Sequence, residues 1–134
     1  MDVHPYLFLD GRCEEAIEFY RAALGAEIEL LMRYRDAPDP AMCPPGAEDR
    51  VMHATLKIGA ATLMASDGHC GGDPEFKGFA LSLPAADEGE ARRLFDALSD
   101  GGQIQMPLEK TFWSPAFGMV ADRFGVAWMV NVDA

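Results

Sequence analysis

The chain carries one arrangement of elements twice, and this repeat limits the available folds more than any other feature. Tyr6-Leu7-Phe8-Leu9 is followed by a turn at Asp10-Gly11, a helical run from Glu14 to Leu24, Gly25, and a β-like stretch from Glu27 to Met32. About 75 residues later the order returns. Phe79-Ala80-Leu81-Ser82-Leu83 leads to a break at Pro84, a helical run from Glu88 to Leu98, Gly101-Gly102, and Gln103 to Met106. Apolar positions nearly superpose: Ala16 with Ala91, Phe19 with Leu94, Tyr20 with Phe95, and Ala23 with Leu98. Two copies of a β-α-β-β-β unit imply a pseudo-twofold axis and a concave seam, a natural place for a ligand.

The helices follow from apolar spacing. Cys13, Ala16, Ile17, Tyr20 and Leu24 recur at steps of three and four, with Glu14, Glu15, Glu18 and Arg21 facing out. Gly25 suits a left-handed helix end. The second helix opens with a capping-box-like Asp87-x-x-Glu90 and buries Ala91, Leu94, Phe95 and Leu98. Strands are expected over 5–9, 27–34, 51–58 and 61–65 in the first copy. The second copy offers 77–83, 103–110, 116–122 and 127–132. Tight hairpins are expected at Ile58-Gly59-Ala60-Ala61-Thr62 and Arg123-Phe124-Gly125-Val126. The Pro-rich loop over 36–49 has no counterpart in the second copy.

At 134 residues the chain suits one compact domain, residues 1–134, with module one about 1–72 and module two about 73–134. The net charge of -11 argues against nucleic acid, which needs clustered Lys and Arg, and against an anionic membrane surface. No apolar stretch approaches the roughly 20 residues of a membrane span, and no signal peptide is read, so a cytoplasmic location is expected. Cys13, Cys43 and Cys70 are an odd number at unrelated spacings and are expected to stay free thiols. A methyltransferase of the usual kind would need a Gly-rich loop after a strand in a doubly wound sheet, and none occurs.

Four stretches, in order, resemble one family. They are Tyr6 to Tyr20; His53-Ala54 leading to Leu63-Met64-Ala65-Ser66-Asp67; Glu109 to Trp113; and Phe117-Gly118 through Asp122 to Asn131. The chain is similar to the vicinal-oxygen-chelate superfamily (glyoxalase, bleomycin resistance protein, dioxygenase). Within it the chain resembles the PhnB-like branch, also labelled 3-demethylubiquinone-9 3-methyltransferase-like. The resemblance implies an α+β fold of two tandem βαβββ modules whose curved sheets surround an open cup, and a homodimer. Enzymes of the superfamily hold a divalent metal (Zn, Mg, Mn, Fe or Ni) through His, Glu or Gln on the first and last strand of each module. Here those strands offer Tyr6 and Phe8, Leu63 and Met64, Phe79 and Leu81, and Trp128, Met129 and Val130. None is a suitable ligand, so the usual metal site is expected to be missing.

The expected function is therefore binding of a small organic molecule in an apolar cup lined by Tyr6, Phe8, His53, Met64, Phe79, Trp113, Phe117 and Trp128. The alternative is a divalent-metal-dependent lyase, isomerase or dioxygenase, using His4, His53 or the Asp67-Gly68-His69-Cys70 loop; a third is a structural or regulatory dimer whose cup its own side chains fill. No catalytic residue is assigned, although a cup-facing Glu109 could act as a base. The eight methionines are read mainly as core filler, some able to line an adaptable pocket.

Overall fold

The computed structural model describes residues 2–38, 45–68 and 74–133. The chain divides into two compact units, Met1–Pro74 and Glu75–Ala134. In the first, β1 (Tyr6–Phe8) leads to α1 (Cys13–Leu24), then β2 (Glu27–Arg33), β3 (Val51–Ile58) and β4 (Ala61–Ser66). In the second, β5 (Leu81–Ala85) leads to α2 (Glu88–Ser99), then β6 (Gln103–Glu109), β7 (Phe117–Ala121) and β8 (Ala127–Val132). The sheet orders are β1-β4-β3-β2 and β5-β8-β7-β6. In each, the first strand runs parallel to the last and the other pairings are antiparallel. The repeat in the sequence is thus a repeat of topology.

Each helix covers one face of its own sheet. Cys13, Ala16, Ile17, Tyr20 and Ala23 of α1 are buried, as are Leu7, Ala54, Leu56, Leu63 and Ala65 on the strands. Gly25, at φ 69°, ends the helix in the left-handed region and gives its N–H to the Arg21 carbonyl. In the second unit Asp87 caps α2 by accepting from the Glu90 N–H at 2.8 Å, while Glu90 Oε1 accepts from the Ala86 N–H at 3.2 Å. Phe95 of α2 lies against β7 at Gly118, where a Cβ would sit 2.7 Å from Phe95 Cε2. Only glycine lets the ring come so close.

Two buried carboxylates tie the units internally. Asp67, just past β4, accepts from the Gly11 and Cys13 N–H groups at 2.7 and 2.9 Å through Oδ1. Its Oδ2 accepts from the Val51 N–H at 2.9 Å. Arg12 supplies no side-chain cap to α1, so a residue 54 positions beyond Cys13 does so. Asp122 of the second unit accepts from the Phe124 and Val126 N–H groups and from Trp128 Nε1, at 2.9, 3.1 and 2.9 Å.

Several expected boundaries move. The fifth strand was expected from Lys77 and broken at Pro84, but β5 begins at Leu81 and runs through Pro84 to Ala85. β5 borders only β8 within its sheet, and an edge strand can hold a proline whose missing N–H faces away from the ladder. Phe79 consequently lies outside the strand and is exposed. The second hairpin is wider than expected. Its strands stop at Ala121 and Ala127, and Asp122 organises the residues between them. The Gly59-Ala60 hairpin is tight, with Ile58 opposite Ala61. Of the 36–49 loop, residues 39–44 lie outside the described residues, as do His69 and Cys70.

Replacing Asp67 with Ala would strip three backbone donors of their acceptor, two of them buried. The expected loss is about 3 kcal/mol of unfolding free energy, measured by urea denaturation. A loss within experimental error would show that the carboxylate is not a structural tie.

Candidate functional site

Period-two alternation leaves one face of the first sheet uncovered by its helix. Its residues fall in rows across the strands. Leu30 and Thr55 stand opposite one another on β2 and β3, followed by Met64 on β4 and Tyr6 on β1. The next row holds Met32 opposite His53, and Ser66 opposite Phe8. On the other side of the first row, Lys57 stands opposite Thr62. Four expected lining residues, Tyr6, Phe8, His53 and Met64, therefore share one open face.

Their side chains interact. The Tyr6 hydroxyl is 2.9 Å from His53 Nδ1, and His53 Nε2 is 3.0 Å from Thr55 Oγ1. The Tyr6 and Phe8 rings lie 5.0 Å apart, and Tyr6 and His53 are 5.5 Å apart. One imidazole thus links two hydroxyls. In one tautomer Nδ1–H donates to Tyr6 and leaves the phenol hydrogen free; in the other, Nε2–H donates to Thr55 and frees that hydroxyl instead. Either way the face presents a hydroxyl donor among apolar side chains. Burial raises the Tyr6 phenol above its usual value, partly offset by a hydrogen bond from Ser66, so the phenol keeps its proton at neutral pH. Thr55, Lys57, Thr62 and Ser66 were not among the expected site residues. Their signal was the two-residue step from His53 along β3, which carries Thr55 and Lys57 onto the same face.

In the second unit the uncovered face carries a methionine row, with Met106, Met119 and Met129 opposite one another and Ser82 beside Met129. Phe117 and Asn131 stand opposite one another nearby. Asn131 Oδ1 is buried and has no hydrogen-bond partner among the described residues. Trp113 is half exposed in the turn after β6, where the Thr111 hydroxyl accepts from the Trp113 and Ser114 N–H groups. Its ring meets Phe117 at 5.3 Å and Phe112 at 4.8 Å. Trp128 belongs elsewhere. It stands between Leu81 and Val120 on the helix-covered face, is 2% exposed, and gives its Nε1–H to Asp122. Phe79 joins neither cluster.

The sequence matches the Glyoxalase/Bleomycin resistance protein/Dioxygenase superfamily over residues 3–130. The chain belongs to this superfamily. Protein YjdN of Escherichia coli is 36% identical over 140 residues, covering 98% of this chain and 95% of that one. The crystal structure of PA1353 from Pseudomonas aeruginosa is 44% identical with a TM-score of 0.89, over 99% of this chain and 98% of that one. A PhnB protein from Bacillus cereus is 29% identical with a TM-score of 0.83, over 98% and 99%.

The donors present do not fit the divalent metal of the superfamily's enzymes. The open face of the first sheet offers one imidazole, with both nitrogens already hydrogen-bonded, and no carboxylate on β1, β3 or β4. Among the described residues no three His, Cys, Asp or Glu side chains gather to hold an ion. Both Asp67 oxygens are engaged by backbone N–H groups. His4 is exposed and precedes β1. Cys13 is fully buried, and burial with the nearby Asp67 charge pushes its thiol up to about 12. No helix among the described residues is long and apolar enough to cross a membrane.

Two titrations check this chemistry. In ultraviolet absorbance, Tyr6 is expected to ionise later than a free phenol, and Tyr6→Phe should reduce the late component by the amplitude of one phenol. Cys13 is expected to resist iodoacetamide at pH 8 in the folded protein and to react once urea unfolds it, as read by peptide mass spectrometry; rapid native labelling would contradict its burial.

Proposed function

We propose that this superfamily member binds a small organic molecule on the uncovered sheet faces, without the divalent metal of its enzymatic relatives. The observation that carries the reading is the Tyr6–His53–Thr55 hydrogen-bond chain beside Phe8 and Met64. Small-molecule sites combine apolar and aromatic walls with a few placed polar groups, and this face has both. Tyr6 and Phe8 each remain 36% exposed, although burying such rings is ordinarily favourable. Their exposure at the centre of a hydrogen-bonded cluster is the arrangement a flat ligand would complete. In the second unit, the methionine row and the Trp113–Phe117 pair supply adaptable and aromatic surface of the same kind.

The donor chemistry favours this reading over the metal-assisted lyase, isomerase or dioxygenase. A Lewis-acid site needs several nitrogen, thiolate or carboxylate ligands at one point. The open face of the first sheet supplies hydroxyls, thioethers and a single imidazole.

A melting-temperature screen with planar aromatic compounds, run with and without Zn2+ and Mn2+, tests the proposal. A ligand at about 100 times its Kd should add about 2.7 kcal/mol to stability, and the shift should not depend on metal. Tyr6→Ala should abolish the shift. Stabilisation only in the presence of a stoichiometric divalent ion would favour the metal-dependent enzyme.

A further inference from the structure

The polar stripe down β3 ends in a cation whose setting differs from that of the unit's other basic groups. Arg12, Arg21, Arg33, Arg35 and Arg50 each pair with a carboxylate: Glu15, Glu18, Glu14, Asp49 and Asp10 respectively. Such pairing is expected in a chain with 22 acidic and 11 basic side chains. Lys57 departs from it. Its Nζ donates to Thr62 Oγ1 at 2.8 Å, and among the described residues of the unit no carboxylate lies within ion-pair distance. Glu27 stands opposite Lys57 on β2, yet it is exposed and forms no ion pair with it. Leu56 and Leu63, the neighbours of Lys57 and Thr62 along their strands, are buried on the helix side, so Lys57 and Thr62 belong to the open face.

We infer that the open face of the first sheet takes an amphiphilic organic anion: a ring system carrying a carboxylate, sulfonate or phosphate, whose charge meets Lys57. The inference rests on the binding reading above and adds a ligand class to it. Lys57 and Thr62 form the row beside Leu30, Thr55, Met64 and Tyr6. Successive rows on one face lie about 7 Å apart, and the four strands span about 14 Å. A fused two-ring body fits across that second row, against Met64 and the Tyr6 ring, while an acidic substituent reaches the ammonium. The Tyr6–His53–Thr55 chain then offers its hydroxyl hydrogen to an oxygen of the ring system. An overall charge of -11 repels anions at long range. A half-buried lysine bonded only to a hydroxyl therefore supplies local attraction that the unit's carboxylate-paired arginines do not.

Two fluorescent probes that differ by one charge separate the possibilities. 1-Anilinonaphthalene-8-sulfonate carries the anion; N-phenyl-1-naphthylamine is the same ring system without it. The sulfonate is expected to bind at least about tenfold tighter, the worth of one charge-assisted contact. Lys57→Gln should erase that preference while changing affinity for the neutral probe by less than about twofold, and Lys57→Arg should retain it. Lys77→Gln, outside the sheet, should change nothing; circular dichroism melts confirm that each variant folds. Equal affinity for the two probes, or a preference that survives Lys57→Gln, overturns the anion inference and leaves the binding reading standing. Binding of neither probe to the wild-type protein overturns both.

Discussion

The carboxylate of Asp67 holds the first unit's architecture at its most exacting point. Helix α1 begins without a cap of its own, β3 begins at Val51 with an N–H that needs an acceptor, and β4 ends where the chain leaves the sheet. One buried residue meets all three needs. Its two oxygens join the start of α1 to the first residue of β3, and its backbone continues β4. Buried donors without partners are costly, so this arrangement sets the position of the helix against the sheet as well as satisfying polarity. On the sheet so anchored, the pairings of β1 with β4 and of β4 with β3 place Tyr6, His53 and Thr55 on one face. Asp122 plays a comparable part in the second unit, though it binds its own hairpin and an indole rather than a helix terminus.

How far the sequence disclosed this depends on whether the deciding contact is local. The helices were legible because three- and four-residue spacing is written within a dozen residues, and both appear where it put them. The two modules were legible because the pattern is repeated. The face of Trp128 was not: Trp128, Met129 and Val130 are all apolar, so alternation gives no parity, and only pairing with Leu81 and Val120 assigns the indole to the helix side. The role of Asp67 was hidden for another reason. Beside a glycine it resembles ordinary turn chemistry, and its partners lie up to 56 positions away. Lys57 carries no signal in the sequence, because only the pairing of β3 with β4 sets Thr62 opposite it.

Membership of the superfamily explains the scaffold and leaves the chemistry to particular side chains. In the first unit β1 reads Tyr-Leu-Phe and β4 reads Ala-Thr-Leu-Met-Ala-Ser, while hydroxyls and an imidazole occupy the middle of the sheet. The open face of the first sheet presents hydroxyls and an imidazole on an apolar ground.

The aromatic residues are also partitioned in a way that gives each module its own optical signature. All three tyrosines, Tyr6, Tyr20 and Tyr34, lie in the first unit, and both tryptophans, Trp113 and Trp128, lie in the second. Indole emission therefore follows the second module alone, with one ring sealed against a carboxylate and the other half open to solvent. Phenol absorbance follows the first, where Tyr20 sits in the core and Tyr6 on the open face. The unfolding or occupancy of either half can thus be followed in the intact chain without an added label.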